Sequence, residues 1–258
     1  MEFTTLMSGS AGNCTYIRGG NTKILVDMGC SLRYLEKALA QIGVNLCDID
    51  AIFISHEHID HIRGVPTCSS RYDIPVFASR LTWQSLPFYQ DFAPHKRHEF
   101  IYDMQLGDLD IQFFKTWHDA VQPVGMVFDH KGKKVAMATD TGQVSPTMIK
   151  SLSGCDGLIL EANHSQKMLA TGPYPYFLKK RIASEKGHLS NQQSAAALAQ
   201  IITAKTQAVL LAHLSEVNNN AKIAMQEVKR ELQRFNFSYS CPIIAASNRV
   251  VSPIINII

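Results

Sequence analysis

Short apolar runs recur along this chain, and most end abruptly at a polar residue. Early runs at Thr15–Arg18, Lys23–Val26, Ala51–Ser55 and Val76–Ala78 read as strands, and later ones lie near 109–117, 124–129, 133–138, 157–161 and 208–212. Between them the spacing changes. Across Ser31–Ile42, residues Leu32, Leu35, Leu39 and Ile42 fall on one helical face, with Ser31 placed to cap the start and Gly43 to stop the end. Helices are also expected over 190–204, an Ala-, Leu- and Gln-rich stretch that Ser190 could cap, and over 218–233. The tail from Cys241 to Ile258 is apolar but is interrupted by Pro242, Asn248, Arg249 and Pro253, so it reads as terminal strands. Periodicity by itself predicts a mixed α/β chain with helices in both halves.

No low-complexity segment, Gly/Ser linker or short repeat divides the sequence. Its 258 residues are enough for a substantial core, so 1–258 is expected to form a single domain. No apolar stretch approaches the ~20 residues that span a bilayer. The start, Met1-Glu2-Phe3-Thr4-Thr5, lacks a basic segment leading into an apolar one, so no export signal is expected. The six cysteines, Cys14, Cys30, Cys47, Cys68, Cys155 and Cys241, form no Cys-x-x-Cys pair. Reduced thiols and a cytoplasmic location are the expectation. The net charge of +3 allows a nucleic-acid partner without demanding one.

The chemistry concentrates in Ser55-His56-Glu57-His58-Ile59-Asp60-His61, directly after the apolar run Ile49–Ile54. Imidazole and carboxylate are the donors a divalent cation such as zinc takes. His56 and His58, two apart, can converge on one ion, and Asp60 and His61, on the first turn of the next element, can serve another. Three further donors stand alone at the ends of apolar runs: His118, Asp140 and His213. One such residue would ordinarily be a loop residue; three after a His-rich turn point to a metal centre.

His-x-His-x-Asp-His followed by a lone His, an Asp and a His resembles the ligand order of the metallo-β-lactamase superfamily. The resemblance spans nearly the whole chain, starting at Leu25-Val26-Asp27-Met28-Gly29. Within that superfamily the chain is most similar to the YycJ (WalJ) family of small cytoplasmic hydrolases, through Ser8-Gly9-Ser10-Ala11-Gly12-Asn13-Cys14-Thr15, Leu160-Glu161-Ala162-Asn163-His164, Gly172-Pro173-Tyr174-Pro175 and Lys186-Gly187-His188-Leu189-Ser190-Asn191. The resemblance implies a four-layer αβ/βα sandwich and two divalent metal ions, zinc or manganese, with iron an option. It makes His56, His58 and His118 ligands of one ion, Asp60, His61 and His213 ligands of the other, and Asp140 the bridge. Asp27 then orients a ligand imidazole, or is a turn residue before Gly29.

The stretch Gly187-His188-Leu189-Ser190 resembles one in the superfamily's transfer-RNA 3′-processing nucleases, where a His paired with a Glu acts at the leaving oxygen. That resemblance makes His188 a proton donor and Glu161 its partner; the alternative is a His that holds the loop before a helix. Lys179, Lys180, Arg181 and Lys186, following Tyr174, Tyr176 and Phe177, could grip phosphates and stack bases, or form a solvated face. His95-Lys96-Arg97-His98, after Trp83, Phe88, Tyr89 and Phe92, reads chiefly as a stretch that packs and caps a loop, with a substrate contact as the alternative. Ser8–Asn13 is either a tight turn or a set of N–H groups for an anion. His130 and His164 read as structural or exposed.

The family resemblance implies a DNA exonuclease, acting from a 5′ end by attack of metal-bound hydroxide on phosphorus, with DNA ahead of RNA as substrate. The same donors would serve a thioester or lactone hydrolase of the glyoxalase II type. The terminal strands, in place of a helical substrate domain, argue against that alternative.

Overall fold

The computed structural model describes residues 1–258. Strands β1 (Glu2–Met7), β2 (Cys14–Gly19) and β3 (Thr22–Val26) form an antiparallel meander. Strands β4 (Ala51–Phe53), β5 (Val76–Ala78) and β6 (Arg97–Glu99) extend it in parallel. Helix α1 (Leu32–Gln41) lies in the first crossover, and α2 (Ile59–Ile62), α3 (Val65–Tyr72) and α4 (Arg80–Ser85) in the next two.

The second half repeats the plan. Strands β7 (Met104–Leu106), β8 (Leu109–Lys115), β9 (Val124–His130) and β10 (Lys133–Ala138) are antiparallel. Strands β11 (Gly157–Glu161), β12 (Ala208–Ala212) and β13 (Ile243–Ala245) then add in parallel. Helices α5 (Pro146–Leu152), α6 (Gln166–Thr171), α7 (Tyr176–Ile182), α8 (Asn191–Ile201) and α9 (Ala221–Arg234) fill the connections. Finally β14 (Ile255–Asn256) crosses back to pair with β1, giving two seven-stranded sheets ordered β14-β1-β2-β3-β4-β5-β6 and β13-β12-β11-β10-β9-β8-β7.

Side chains alternate across each strand, so a strand covered on both faces feeds two cores. In β12, Val209 and Leu211 join the α5/α8/α9 side while Ala208, Leu210 and Ala212 face a core shared with Phe3, Ile17, Ile24 and Phe53 of the first sheet. In β3, Leu25 packs with Leu35, Leu39 and Val65, and Ile24 and Val26 face the shared core. Three apolar clusters therefore separate four layers, helix–sheet–sheet–helix. No helix is long and apolar enough to cross a membrane.

The expected strands 76–78, 133–138, 157–161 and 208–212 are found with those bounds. Others are trimmed by identifiable bonds. The run 51–55 stops at Phe53 because Ser55 turns its N–H to Asp27 Oδ1, 2.8 Å away. The run 109–117 stops at Lys115, and the Thr116 N–H goes to the Pro123 carbonyl of its own loop. Helix α8 begins at the expected Ser190, which caps it with a reciprocal bond from Gln193, but it ends at Ile201 where Ile202 turns extended. Helix α9 starts at Ala221 rather than 218, because Asn220 accepts the Ile223 N–H and sets the cap.

Candidate metal centre

The strand ends of both sheets meet at one place, and the turns after them carry the polar residues. Three of those residues, Asp27, Asp140 and His213, hold left-handed backbone with φ of 60°, 54° and 56°. Non-glycine residues enter this region at an energetic cost and do so where surrounding structure imposes it. Here the imposed twist turns each side chain out of its sheet into a common space.

Asp27, with no exposed surface, organises the His-rich turn. Its Oδ1 accepts the Ser55 N–H, and its Oδ2 accepts Ser55 Oγ and His61 Nδ1, each at 2.8 Å. With Nδ1 bonded to Asp27, His61 turns Nε2 inward, 3.5 Å from Asp60 Oδ2 and 3.4 Å from Asp140 Oδ2. The same device recurs twice. His118 Nδ1 donates to the Gly187 carbonyl at 3.0 Å, and His213 Nδ1 to Glu161 Oε1 at 2.8 Å. Each of these rings is thereby held in one tautomer with Nε2 aimed inward.

The donor atoms fall into four overlapping groups whose members lie within 4.8 Å of one another: His56, His58 and His118; Asp60, His61 and His213; His56, His61 and Asp140; and Asp140, Glu161, His188 and His213. Asp140 reaches toward both sides, its Oδ1 3.7 Å from His118 Nε2 and 3.5 Å from His213 Nε2. Three of the donors, His56 Nε2, Asp140 Oδ2 and His213 Nε2, are buried without any hydrogen-bond partner. Orphaned buried polar atoms are costly. Their convergence, from residue types that bind divalent cations, fits metal ions here.

The electrostatics point the same way. Burial pushes the His56 and His118 imidazoles down, and neighbouring imidazoles add to the effect. On the other side, burial alone would lower His213, but Asp140, Asp60 and Glu161 raise it to about 10. His61 also rises well above its usual range against burial, through Asp140, Asp27 and Asp60. Burial would raise the Asp140 carboxyl, yet His213, His61 and His118 hold it low. A buried nest of carboxylates that draws protons onto its histidines is one that metal cations can neutralise instead.

Glu161 is fully buried and bonds to two histidines: its Oε1 accepts His188 Nδ1 as well as His213 Nδ1, both at 2.8 Å. Its Oε2 accepts the Thr141 and Leu189 N–H groups at 2.9 and 3.1 Å. Burial would raise this carboxyl, but His188 and His213 hold it well below the usual range. The structure thus brings Glu161 and His188 together and adds a link to His213 that spacing alone does not show. His188 keeps a fifth of its side chain exposed.

The remaining candidates have simpler roles. The Ser8–Asn13 turn is not an anion cradle through Gly9, Gly12 or Asn13, whose N–H groups are engaged by Asn13 Oδ1, the Gly9 carbonyl and the Asp60 carbonyl. It is a tight turn that serves the centre: Asn13 Nδ2 lies 3.2 Å from Asp60 Oδ2 and 3.1 Å from His61 Nε2, and Ser8 Oγ accepts the His213 N–H at 2.7 Å. No motif signals the role of Asn13, whose partners lie 47 and 48 residues away. His95–His98 belongs to the sheet edge: His98 stacks on Phe77, Lys96 pairs with Asp73 and Arg97 lies over Tyr89. Of the basic run, Arg181 pairs with Asp119 at 2.6 Å and Lys179 bonds the Ala170 carbonyl, while Arg181, Asp119 and Tyr174 share a small cavity of about 180 Å3 with His188. His164 is buried, its backbone bridged to Ser190, and His130 bonds the Asp108 carbonyl.

A family model described as a beta-lactamase superfamily domain matches residues 22–214. Exodeoxyribonuclease YycJ of Bacillus anthracis is 36% identical over 241 residues, 92% of this chain and 91% of its own length. Exodeoxyribonuclease WalJ of Streptococcus pneumoniae is 36% identical over 238 residues, 90% of this chain and 88% of its own. Among solved structures, the metallo-beta-lactamase fold protein YhfI of Bacillus subtilis superposes with a TM-score of 0.72 at 18% identity, covering 97% of this chain and 98% of that one.

Proposed function

Since the chain belongs to the beta-lactamase superfamily and groups there with the YycJ and WalJ proteins, we propose that it is a two-metal hydrolase of DNA phosphodiester bonds that digests from an end, the 5′ end in particular. Supporting this are the two donor groups joined through Asp140, with Glu161 linking that assembly to a partly exposed His188. His56, His58 and His118 would hold one divalent cation, and Asp60, His61 and His213 the other, with Asp140 shared. Zinc, manganese and iron all suit these donors. Such a pair supplies Lewis acidity at the phosphate and an activated water at neutral pH.

The protein's own groups do the rest. Asp27, the Gly187 carbonyl and Glu161 fix the tautomers of His61, His118 and His213. His188 has Nδ1 committed to Glu161, which leaves Nε2 as its free ring nitrogen. A departing nucleoside alkoxide needs a proton, and a histidine oriented by a buried carboxylate is a suitable group to supply one. A thioester or lactone makes less use of such a donor. The test is product analysis on end-labelled DNA with zinc or manganese, beside Asp60→Ala. Stepwise release of mononucleotides, absent in the variant, supports the reading; intact DNA under every metal condition defeats it.

A further inference from the structure

Helix α7 has a second side that none of these roles uses. Leu178, Arg181 and Ile182 line the small cavity that holds His188, whereas Tyr176, Lys179, Lys180 and Ala183 line a separate cleft of about 610 Å3. That volume falls in the range of roughly 300–1,000 Å3 usual for ligand sites. Across from α7 the cleft is walled by His164, Gln166, Leu169 and Gln193, and no carboxylate lines it. His164 is 2% exposed and its buried Nδ1 has no hydrogen-bond partner. Burial lowers its pKa to about 4, so at neutral pH the ring is uncharged and offers one donor and one acceptor. Gln166 spends its amide N–H on Ser190 Oγ and keeps its carbonyl oxygen free. Lys179 donates to the Ala170 carbonyl, which leaves the exposed Lys180 beside it as the free cation.

Residues four apart on a helix share a face, so Lys180 stands one turn from Tyr176, whose ring is 80% exposed. The cleft therefore combines an open aromatic face, one free cation and, at its buried end, unmet donors and acceptors without charge. A lone phosphate would use only the cation. A nucleobase uses the rest: its face stacks on an aromatic ring, and its edge carries donors and acceptors. We propose that this cleft is a binding site for a free mononucleotide, the base on Tyr176 with its edge toward His164 and Gln166, and the 5′-phosphate on Lys180. The site is distinct from the metal centre and stands apart from the nuclease reading, although mononucleotides are what such a nuclease releases.

The test is calorimetric titration of the metal-loaded protein with deoxyadenosine 5′-monophosphate, deoxyadenosine and inorganic phosphate. Saturable binding of the nucleotide, tighter than that of phosphate, is expected. Tyr176→Ala should weaken it about tenfold or more, and Tyr176→Phe should restore it. Lys180→Ala should weaken the nucleotide and not the nucleoside. Because metal ions also attract phosphate, a second readout fixes the location: the histidine ring resonance that disappears in His164→Gln should shift with the same saturation as the heat. No binding, or binding that leaves this resonance and the Tyr176 and Lys180 variants unchanged, overturns the inference. DNA degradation by the same preparation is scored separately, so the nuclease stands or falls on its own result.

Discussion

Asp27, the Gly187 carbonyl and Glu161 hold the clustered imidazoles of His61, His118 and His213 from behind, through Nδ1. Asp27 accepts three bonds at 2.8 Å and has no exposed surface. Asp27→Asn keeps the volume but sets an amide against two donors, so metal affinity should fall about 10- to 100-fold in a chelator-competition titration. His188 tests a different function. His188→Ala should retain metal yet turn over DNA about 10²- to 10⁴-fold more slowly, as single-turnover assays would show; wild-type turnover would remove it from proton transfer.

His164 provides a prediction on stability rather than catalysis. Burial lowers its pKa to about 4, and Nδ1 has no partner. The unfolded chain therefore binds this proton more readily than the folded one. Stability should be fully present above pH 6.5 and decline as pH falls toward 4, by about 3 kcal/mol for this group. Denaturant unfolding of wild type and His164→Gln across pH 4–7 isolates the contribution: the variant's curve should be flatter by that amount.

At the level of elements, two local devices hold the centre's backbone. Gly29 crosses α2 itself so closely that a Cβ there would sit 1.5 Å from the Asp60 carbonyl oxygen. Around it, the Asn13 N–H bonds that same carbonyl and the Met28 N–H bonds the His61 carbonyl. Gly29→Ala must push the Asp60–His61 turn away, so metal binding should be lost even in molecules that fold, as metal analysis of the purified variant would show. Ser190, by contrast, caps α8 from outside the donor set. Ser190→Ala should cost about 1 kcal/mol and lower Tm by about 2–4 °C with metal content unchanged.

These elements also show how far a sequence can be read. Strands β10, β11 and β12 are legible because both faces are covered and the apolar run has no gap. Strands β6 and β7 are not, because they lie at sheet edges, three residues long and partly exposed. The His-rich turn stands out because its donors are neighbours in sequence. Asn13, the Gly187 carbonyl and the double use of Glu161 stay hidden because only the fold brings them within reach of residues 27 to 69 positions away. The left-handed backbone at Asp27, Asp140 and His213 is likewise unmarked, since no glycine flags it.

The molecule as a whole places Asp27 and the His-rich turn on one sheet and Asp140, Glu161 and His213 on the other, so the centre forms only when the two sheets close on their shared core. Metal binding should therefore stabilise the sheet pairing as well as enable chemistry. The most direct measurement is a titration of metal-free protein with manganese or zinc, with bound metal and DNA degradation recorded in the same samples. Two equivalents per chain, with degradation rising as both are filled and abolished in Asp140→Ala, is the predicted result. Saturation at one equivalent or none, or full loading that leaves DNA intact, would contradict a two-metal nuclease.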